Sequence, residues 1–385
     1  MYIPAPVDDP PNNVTSANPF RPSFGTTPPR LAGRDHIVQH FADGLDEGPG
    51  APARASLFTG QRGVGKTVML NEVEDLARRR GWITMSESGH AGLVDRLLAD
   101  HLGPALRSLD PEATTTTLTG LGGPLELGSI QWATNQQYRR MTGLRTQLAR
   151  AADLCAENGT GVLVTVDEVH AADTADLREL TTVVQHCFRE DRSVAFAAAG
   201  LPAAVSVRLL DDDVLTFLRR AERFELGSVG RVDAREAILL PIRAGGRDIA
   251  ADALEPAVAA TSGYPFLIQL VGYHVWRIDP QAPTITTGHV AAAIPAVEER
   301  LGRLVLEPAV SGLAARDQDF LDAMAVDDGP SRVRDLAERL GVSGNYVNRY
   351  RRRLLDAELI TEAGRGRVDL QLPGAREWLR ERAAP

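Results

Sequence analysis

The amino-acid sequence predicts an α/β protein in which a parallel sheet carries helices on both faces and a helical region follows. Three observations lead there. Short apolar runs alternate with helical patterns between about residues 31 and 230, the order expected of strands joined by covering helices. The most apolar run, Gly161-Val162-Leu163-Val164-Thr165-Val166, lacks the polar alternation of a half-exposed strand and fits a strand buried on both faces. From about Val232 the strand signals stop, and helical spacing takes over through Ala237, Leu239 and Leu240, then Leu254 and Val258, then Phe266, Leu267 and Leu270. A chain of 385 residues is long enough for two or three domains, each with its own core.

Residues 1 to 30 contain eight prolines and few apolar side chains, which predicts an extended, largely unpacked arm. Regular structure is expected to begin near Leu31-Ala32-Gly33-Arg34-Asp35, with a helix carrying Ile37, Val38, Phe41 and Leu45 on one face. The run from Ala55 to Thr59 reads as the first strand, and it leads through glycines into a helix from Val68 to Arg80. Ile83 to Met85 make a second strand, followed by a helix bearing Leu93, Leu97, Leu98 and Leu102. Residues 113 to 129 are rich in Thr and Gly and predict a long surface loop. A helix near Tyr138 to Glu157 then leads into the apolar strand, which ends in Asp167-Glu168. A helix from about Thr174 to Phe188, a strand from Ser193 to Ala199 and a last strand at Arg223 to Leu226 complete the domain.

The composition, 43% hydrophobic and 24% charged, is that of a globular protein and excludes disordered, collagen-like and coiled-coil classes. Forty-two basic and fifty-one acidic residues give a net charge of -9, so any surface for nucleic acid or anionic lipid has to be local. Cys155 and Cys187 are too few for a disulfide framework or a four-cysteine zinc site, and they fit a reducing cytoplasm. The uncharged stretch from Pro256 to Trp276 has the length of a membrane span, but Thr261-Ser262-Gly263-Tyr264-Pro265 interrupts it, so a buried helix pair is expected and no membrane partner. The first residues lack the basic start and apolar core of a signal peptide, which also points to the cytoplasm. His36 and His40 have a metal-compatible spacing but no third ligand, and they read as surface histidines.

Every basic residue except Lys66 is an arginine. That lysine completes Gly60-Gln61-Arg62-Gly63-Val64-Gly65-Lys66-Thr67, which fits G-x-x-x-x-G-K-[ST] at every fixed position. The chemistry requires these types. Glycines let backbone N–H groups curl around phosphate oxygens, and the helix that starts at Lys66 adds its positive dipole end. Lys66 is expected to reach the β- and γ-phosphates of ATP, and the Thr67 hydroxyl to bind Mg2+. Asp167 ends a buried strand about a hundred residues on, where a carboxylate reaches the metal shell across the neighbouring strand. Glu168 follows and is expected to polarise the attacking water. Lys66 and Glu168 are therefore the candidate catalytic pair. His170 gives Asp167-Glu168-Val169-His170 the letters of a helicase box, yet no other helicase motif accompanies it.

Near Leu313 a third unit begins. Val333, Leu336, Ala337 and Leu340 form one buried helix face that Gly341 terminates, and Ser343 is placed to cap a second helix. In that second helix Val347, Tyr350 and Leu354 face inward, while Asn345, Asn348, Arg349 and Arg352 share the opposite face. Arginine and asparagine suit guanine and adenine edges, and Arg365 and Arg367 in Gly364-Arg365-Gly366-Arg367 would form a basic wing beside double-stranded DNA. From Ser331 to Pro385 twelve arginines face eight acids, a local +4 in an acidic chain.

These motifs together resemble the AAA+ ATPases of the origin-recognition-like branch and the related signal-transducing STAND group, over about residues 28 to 385. The resemblance implies a P-loop NTPase fold with an α-helical lid and a C-terminal winged helix-turn-helix. It divides the chain into an arm at 1–30, a nucleotide domain at 31–230, a lid at 231–310 and a winged helix at 311–385. It further implies that Pro29-Arg30-Leu31-Ala32-Gly33-Arg34-Asp35 packs near the adenine, that Ala199-Gly200-Leu201-Pro202 ends the sensor strand, and that Pro265 of Gly263-Tyr264-Pro265 opens a helix near the nucleotide. Arg219, Arg220 and Arg223 are its candidates for sensing the γ-phosphate. This sequence departs from the family where Ala198, Ala199 or Gly200 replaces a polar sensor and where no arginine starts the helix after Gly263. Two readings follow: an ATPase with Mg2+ whose turnover resets a DNA-binding winged helix, or a very slow ATP/ADP switch whose winged helix docks a protein partner. Association into homo-oligomers is compatible with both.

Overall fold

The structure is a computed structural model that describes residues 17–23, 25–29, 31–110, 143–201 and 216–383. The loop expected at 113–129, the first turn of the helix expected from Tyr138, Arg30, Pro202 and most of the N-terminal arm lie outside the described residues. Contacts divide the chain into two units of non-consecutive segments. One joins Arg34–Gly227 with Asp319–Gln371, and the other joins Met1–Gly33, Ser228–Gln318 and Leu372–Pro385.

The first unit opens with α1 (Asp35–Glu47), which buries Ile37, Phe41, Ala42 and Leu45. Arg54 then donates to the last carbonyls of α1, with Nε 2.9 Å from Gly44 O and an Nη 2.8 Å from Leu45 O. Its guanidinium lies 5.0 Å from the centre of the Trp82 ring, and burial pushes its pKa down to about 10. Strand β1 (Ala55–Thr59) follows, then α2 (Lys66–Arg79), β2 (Ile83–Ser88), α3 (Leu93–Arg96) and α4 (Gly103–Leu109), with a π-helical turn joining the last two. The helical path is unbroken from Leu93 to Leu109, and Pro104, which has no N–H to donate, follows close on the π-helical turn. After α5 (Leu144–Ala156) come β3 (Val162–Asp167), α6 (Thr174–Arg189), β4 (Val194–Gly200), α7 (Thr216–Arg220) and β5 (Glu222–Glu225).

The five strands form a parallel sheet in the order β2-β3-β4-β1-β5, with helices on both faces. Each residue of β1 and β4 is buried, as the unbroken apolar runs predict. Parallel strands all end at one edge, so the loops after β1, β2, β3 and β4 meet there.

The second unit contains α8 (Arg231–Ala244), β6 (Asp248–Ile249), α9 (Ala251–Thr261), α10 (Pro265–Ile278), β7 (Thr284–Ile285), α11 (Thr287–Leu301) and α12 (Glu307–Ser311). No helix among the described residues is long and apolar enough to cross a membrane, and the stretch from Pro256 to Trp276 is split between α9 and α10 as expected. The described end of the N-terminal arm is not loose. Phe20 is buried against Gly272 of α10, where a Cβ would meet the ring at 2.3 Å. Asn18 Nδ2 donates to Tyr273 O at 3.0 Å, and Arg21 N donates to Gln269 Oε1 at 3.1 Å. Phe20, Asn18 and Arg21 thus tie the described end of the arm to α10, where an unpacked segment was expected. Phe20→Ala is expected to destabilise this unit by about 3 kcal/mol, read as a lower midpoint in urea unfolding.

The chain continues through α13 (Ala315–Ala325), β8 (Ser331–Arg332), α14 (Val333–Leu340), α15 (Gly344–Asp356), β9 (Ile360–Glu362), β10 (Arg367–Leu370) and α16 (Ala375–Ala383). Gly341 ends α14 in the left-handed region at φ +62°, and Ser343 occupies the first cap position of α15, although its hydroxyl makes no cap bond there. Strand β10 pairs antiparallel with both β9 and β8. Helix α16 belongs to the second unit, where the Trp378 ring packs on Gly302.

Candidate nucleotide site

The loop between β1 and α2 takes its shape from backbone that a side chain would not permit. Gly60 has φ +154°, and a Cβ there would meet Leu226 O at 2.3 Å and Val64 Cγ2 at 2.8 Å. The loop is therefore packed against the backbone just after β5. Gly65 is left-handed at φ +96° and starts α2 directly, two residues earlier than the apolar pattern indicates. Gln61, Arg62, Gly63 and Val64 complete the turn, with Val64 buried and Gly63 at φ +75°.

Lys66 is 6% exposed and donates to the carbonyls of Gly60 at 2.6 Å and Gln61 at 3.0 Å. An ammonium has three donors, so one remains for phosphate. Burial lowers the Lys66 pKa, opposed by the carboxylates of Glu168, Glu358 and Asp167 and reinforced by the Arg62 charge. Thr67 Oγ1 donates to Asp167 Oδ2 at 2.6 Å, across the width of β4, while Asp167 Oδ1 accepts the Glu168 N–H at 2.8 Å. A polar cavity opens beside this pair, lined by Asn71, Glu74, Ser86 and Ser88 as well as Thr67 and Asp167. A hydroxyl and one carboxylate facing open space suit Mg2+, which keeps several waters and takes phosphate oxygens as its other ligands. Among the described residues no group of three or more His, Cys, Asp or Glu side chains could hold a metal alone, and His40 is instead paired with Glu222 at 2.7 Å.

Glu168 has φ +47°, a left-handed conformation uncommon outside glycine, and its side chain is 47% exposed. The loop after β2 closes on its backbone: Gly89 N donates to Asp167 O at 2.7 Å, and a Cβ on Gly89 would meet Glu168 O at 2.3 Å. His170 Nε2 lies 3.2 Å from Glu168 Oε2. Gly89 is not visible in the sequence, because its role depends on the loop after β2 meeting the loop after β3, whereas His170 and Glu168 share one loop and only their contact is unreadable.

Other expected residues lie elsewhere. Arg223 pairs in register with Leu57, the middle residue of β1, and Arg219 and Arg220 precede β5, at the end of the sheet where strands begin. Three residues of strand, roughly 10 Å, separate Arg223 from the level of Gly60. All three arginines lie just before or at the start of β5. Arg34 of the lead-in segment donates to the carbonyl of Gly227, just past β5. Pro265 opens α10 in the second unit, behind a fully buried Tyr264. Asn345, Asn348, Arg349, Arg352, Arg365 and Arg367 are all exposed. Tyr346, 56% exposed on the same helix with the Arg349 guanidinium 6.0 Å from its ring, joins them and was not singled out by its helical position.

A parallel sheet whose glycine-rich loop runs into a helix, with a buried lysine and a threonine–aspartate contact across one strand, defines a P-loop NTPase. Residues 30–196 match the family described as the AAA ATPase domain, so this chain carries a nucleotide-binding domain of AAA type. Residues 303–379 match a domain of unknown function, DUF8462. No curated protein matches the sequence. Among solved structures, the chain is similar to the Walker-type ATPase PABY2304 of Pyrococcus abyssi, with 16% identity and a TM-score of 0.65 over 91% of this chain and 96% of that one. It is also similar to the ORC2 protein of Aeropyrum pernix, solved as ADPNP–ADP complexes, with 13% identity and a TM-score of 0.58 over 94% and 96% of the two chains. These likenesses extend the shared fold well beyond the nucleotide domain.

Proposed function

We propose that this protein hydrolyses ATP with Mg2+ and uses the cycle to switch a C-terminal winged helix that contacts double-stranded DNA. The observation that carries the reading is the 2.6 Å contact between Thr67 and Asp167, with Glu168 next in the chain and Lys66 at the loop. In this reading the loop N–H groups and Lys66 hold the β- and γ-phosphates, Thr67 and Asp167 hold the metal, and Glu168 polarises water for attack on the γ-phosphate. Bound Mg2+ would neutralise charge on the phosphate oxygens. Glu168→Gln is expected to lower steady phosphate release by about 100-fold while ATP affinity stays within about threefold of wild type. Wild-type release no faster than that of the variant would instead favour the slow ATP/ADP switch.

The DNA arm of the proposal rests on exposure and charge. Helices α14 and α15 with the β9–β10 hairpin have the order of a winged helix-turn-helix, and Asn345, Asn348, Arg349 and Arg352 of α15 are exposed while Val347 and Leu354 are buried. Binding to duplex DNA is expected to weaken steeply with salt. Removing any one of Arg349, Arg352, Arg365 or Arg367 should reduce the slope of log K against log salt by about 1 where that residue touches phosphate. A fluorescence-anisotropy titration at several salt concentrations checks this, and salt-independent binding would contradict it.

A further inference from the structure

The carboxylate of Glu168 sits on a backbone that is held tightly, yet its side chain is about half exposed. A glutamate in that position has rotamer freedom, and a group that polarises water must spend its time in one place. One neighbour answers this need. His170, two residues on in the short 3-10 turn after β3, is largely buried and brings Nε2 to 3.2 Å from Glu168 Oε2. On the other side of the same ring, the backbone N–H of Leu201 donates to Nδ1 at 3.4 Å.

These two contacts fix the chemistry of the ring. A backbone N–H can only donate, so Nδ1 must be unprotonated, and the neutral imidazole then carries its hydrogen on Nε2, facing the carboxylate. The ring thus bridges the residue that follows β4 to the carboxylate that follows β3. No side chain at Ala198, Ala199 or Gly200 could do this, because none carries a polar group.

We propose that His170 is a positioning residue for Glu168, holding its carboxylate in one rotamer through Nε2–H while Leu201 N–H fixes the ring from behind. The inference rests on the reading that Glu168 polarises the attacking water. His170 itself touches neither nucleotide nor water in this assignment.

The test uses the full-length chain, Mg2+ and ATP, with kcat, KM and equilibrium ATP affinity measured for three substitutions. His170→Ala is expected to lower kcat about tenfold with KM and ATP affinity unchanged. In His170→Gln the side-chain amide reaches the place of Nε2 and can donate to Glu168, so kcat should return to within about threefold of wild type. His170→Asn can still accept from Leu201 but stops short of Glu168, and should stay as slow as the alanine variant. Single-turnover rates add a discriminating case: combined with Glu168→Gln, the alanine substitution should cost nothing further, since it acts only through that carboxylate.

An unchanged kcat in His170→Ala, or a full additional loss in the double variant, would overturn the proposal. So would a parallel fall in ATP affinity and melting temperature, which would mark His170 as merely structural. If wild-type turnover equals that of Glu168→Gln, the hydrolysis reading fails and takes this inference with it. Wild-type turnover that ignores His170 sinks the inference alone.

Discussion

Lys66→Ala is expected to weaken ATP binding by roughly a hundredfold, equivalent to about 3 kcal/mol, without unfolding the nucleotide domain. The ammonium is the only lysine charge in the chain, and it is buried where phosphate oxygens would gather, against the carbonyls of Gly60 and Gln61. A charge-assisted bond in such a place exceeds what water offers, and neither Gln61 nor Val64 can replace it. Burial already disfavours the charge, as its lowered pKa records, so alanine removes a cost along with the ligand contact. The melting temperature of the free protein should therefore hold or rise. Calorimetric titration with MgATP is the direct measurement, and a change of less than about threefold in Kd would contradict the assigned role.

Gly89→Ala should produce the opposite profile, with binding kept and turnover lost. Its new methyl would stand 2.3 Å from Glu168 O and 2.9 Å from Glu168 C, both backbone atoms that no rotamer change can move aside. The loop after β2 would have to retreat, breaking the 2.7 Å bond from Gly89 N to Asp167 O. The glycine loop around Lys66 is untouched, so ATP affinity should change by less than about threefold while phosphate release falls by about 10- to 100-fold. A stability loss of about 1 to 3 kcal/mol is expected alongside, from overpacking. Equal losses in binding and turnover would show that the two loops do not separate these tasks.

The sequence is legible where the physics is local. Apolar runs mark β1 and β4 to within a residue, because strands buried on both faces leave no room for polar alternation. The phosphate loop and the Asp167-Glu168 pair are readable because backbone curvature and metal chemistry restrict residue types at fixed spacing. What escapes is the geometry that strand order creates. Nothing in the spacing of Gly89, His170 and Leu201 says that β2, β3 and β4 lie side by side and bring their following loops together. Arg219, Arg220 and Arg223 do stand just before and at the start of the last strand, β5, because that strand's position is legible from its own short run. The burial of Phe20 is not legible in the proline-rich composition around it, since composition averages over single side chains.

The close approach of Gly60 to Leu226 also bears on how the protein comes into being. All the motif letters for gripping phosphate and metal have been synthesised by Glu168, but the wall behind the loop is not complete until some sixty residues later. Strand β1 waits in the middle of the sheet for β4 on one side and β5 on the other, so its loop cannot take its final shape on an emerging chain that ends at β3. A nascent or truncated product stopping there would carry a complete signature and no working pocket.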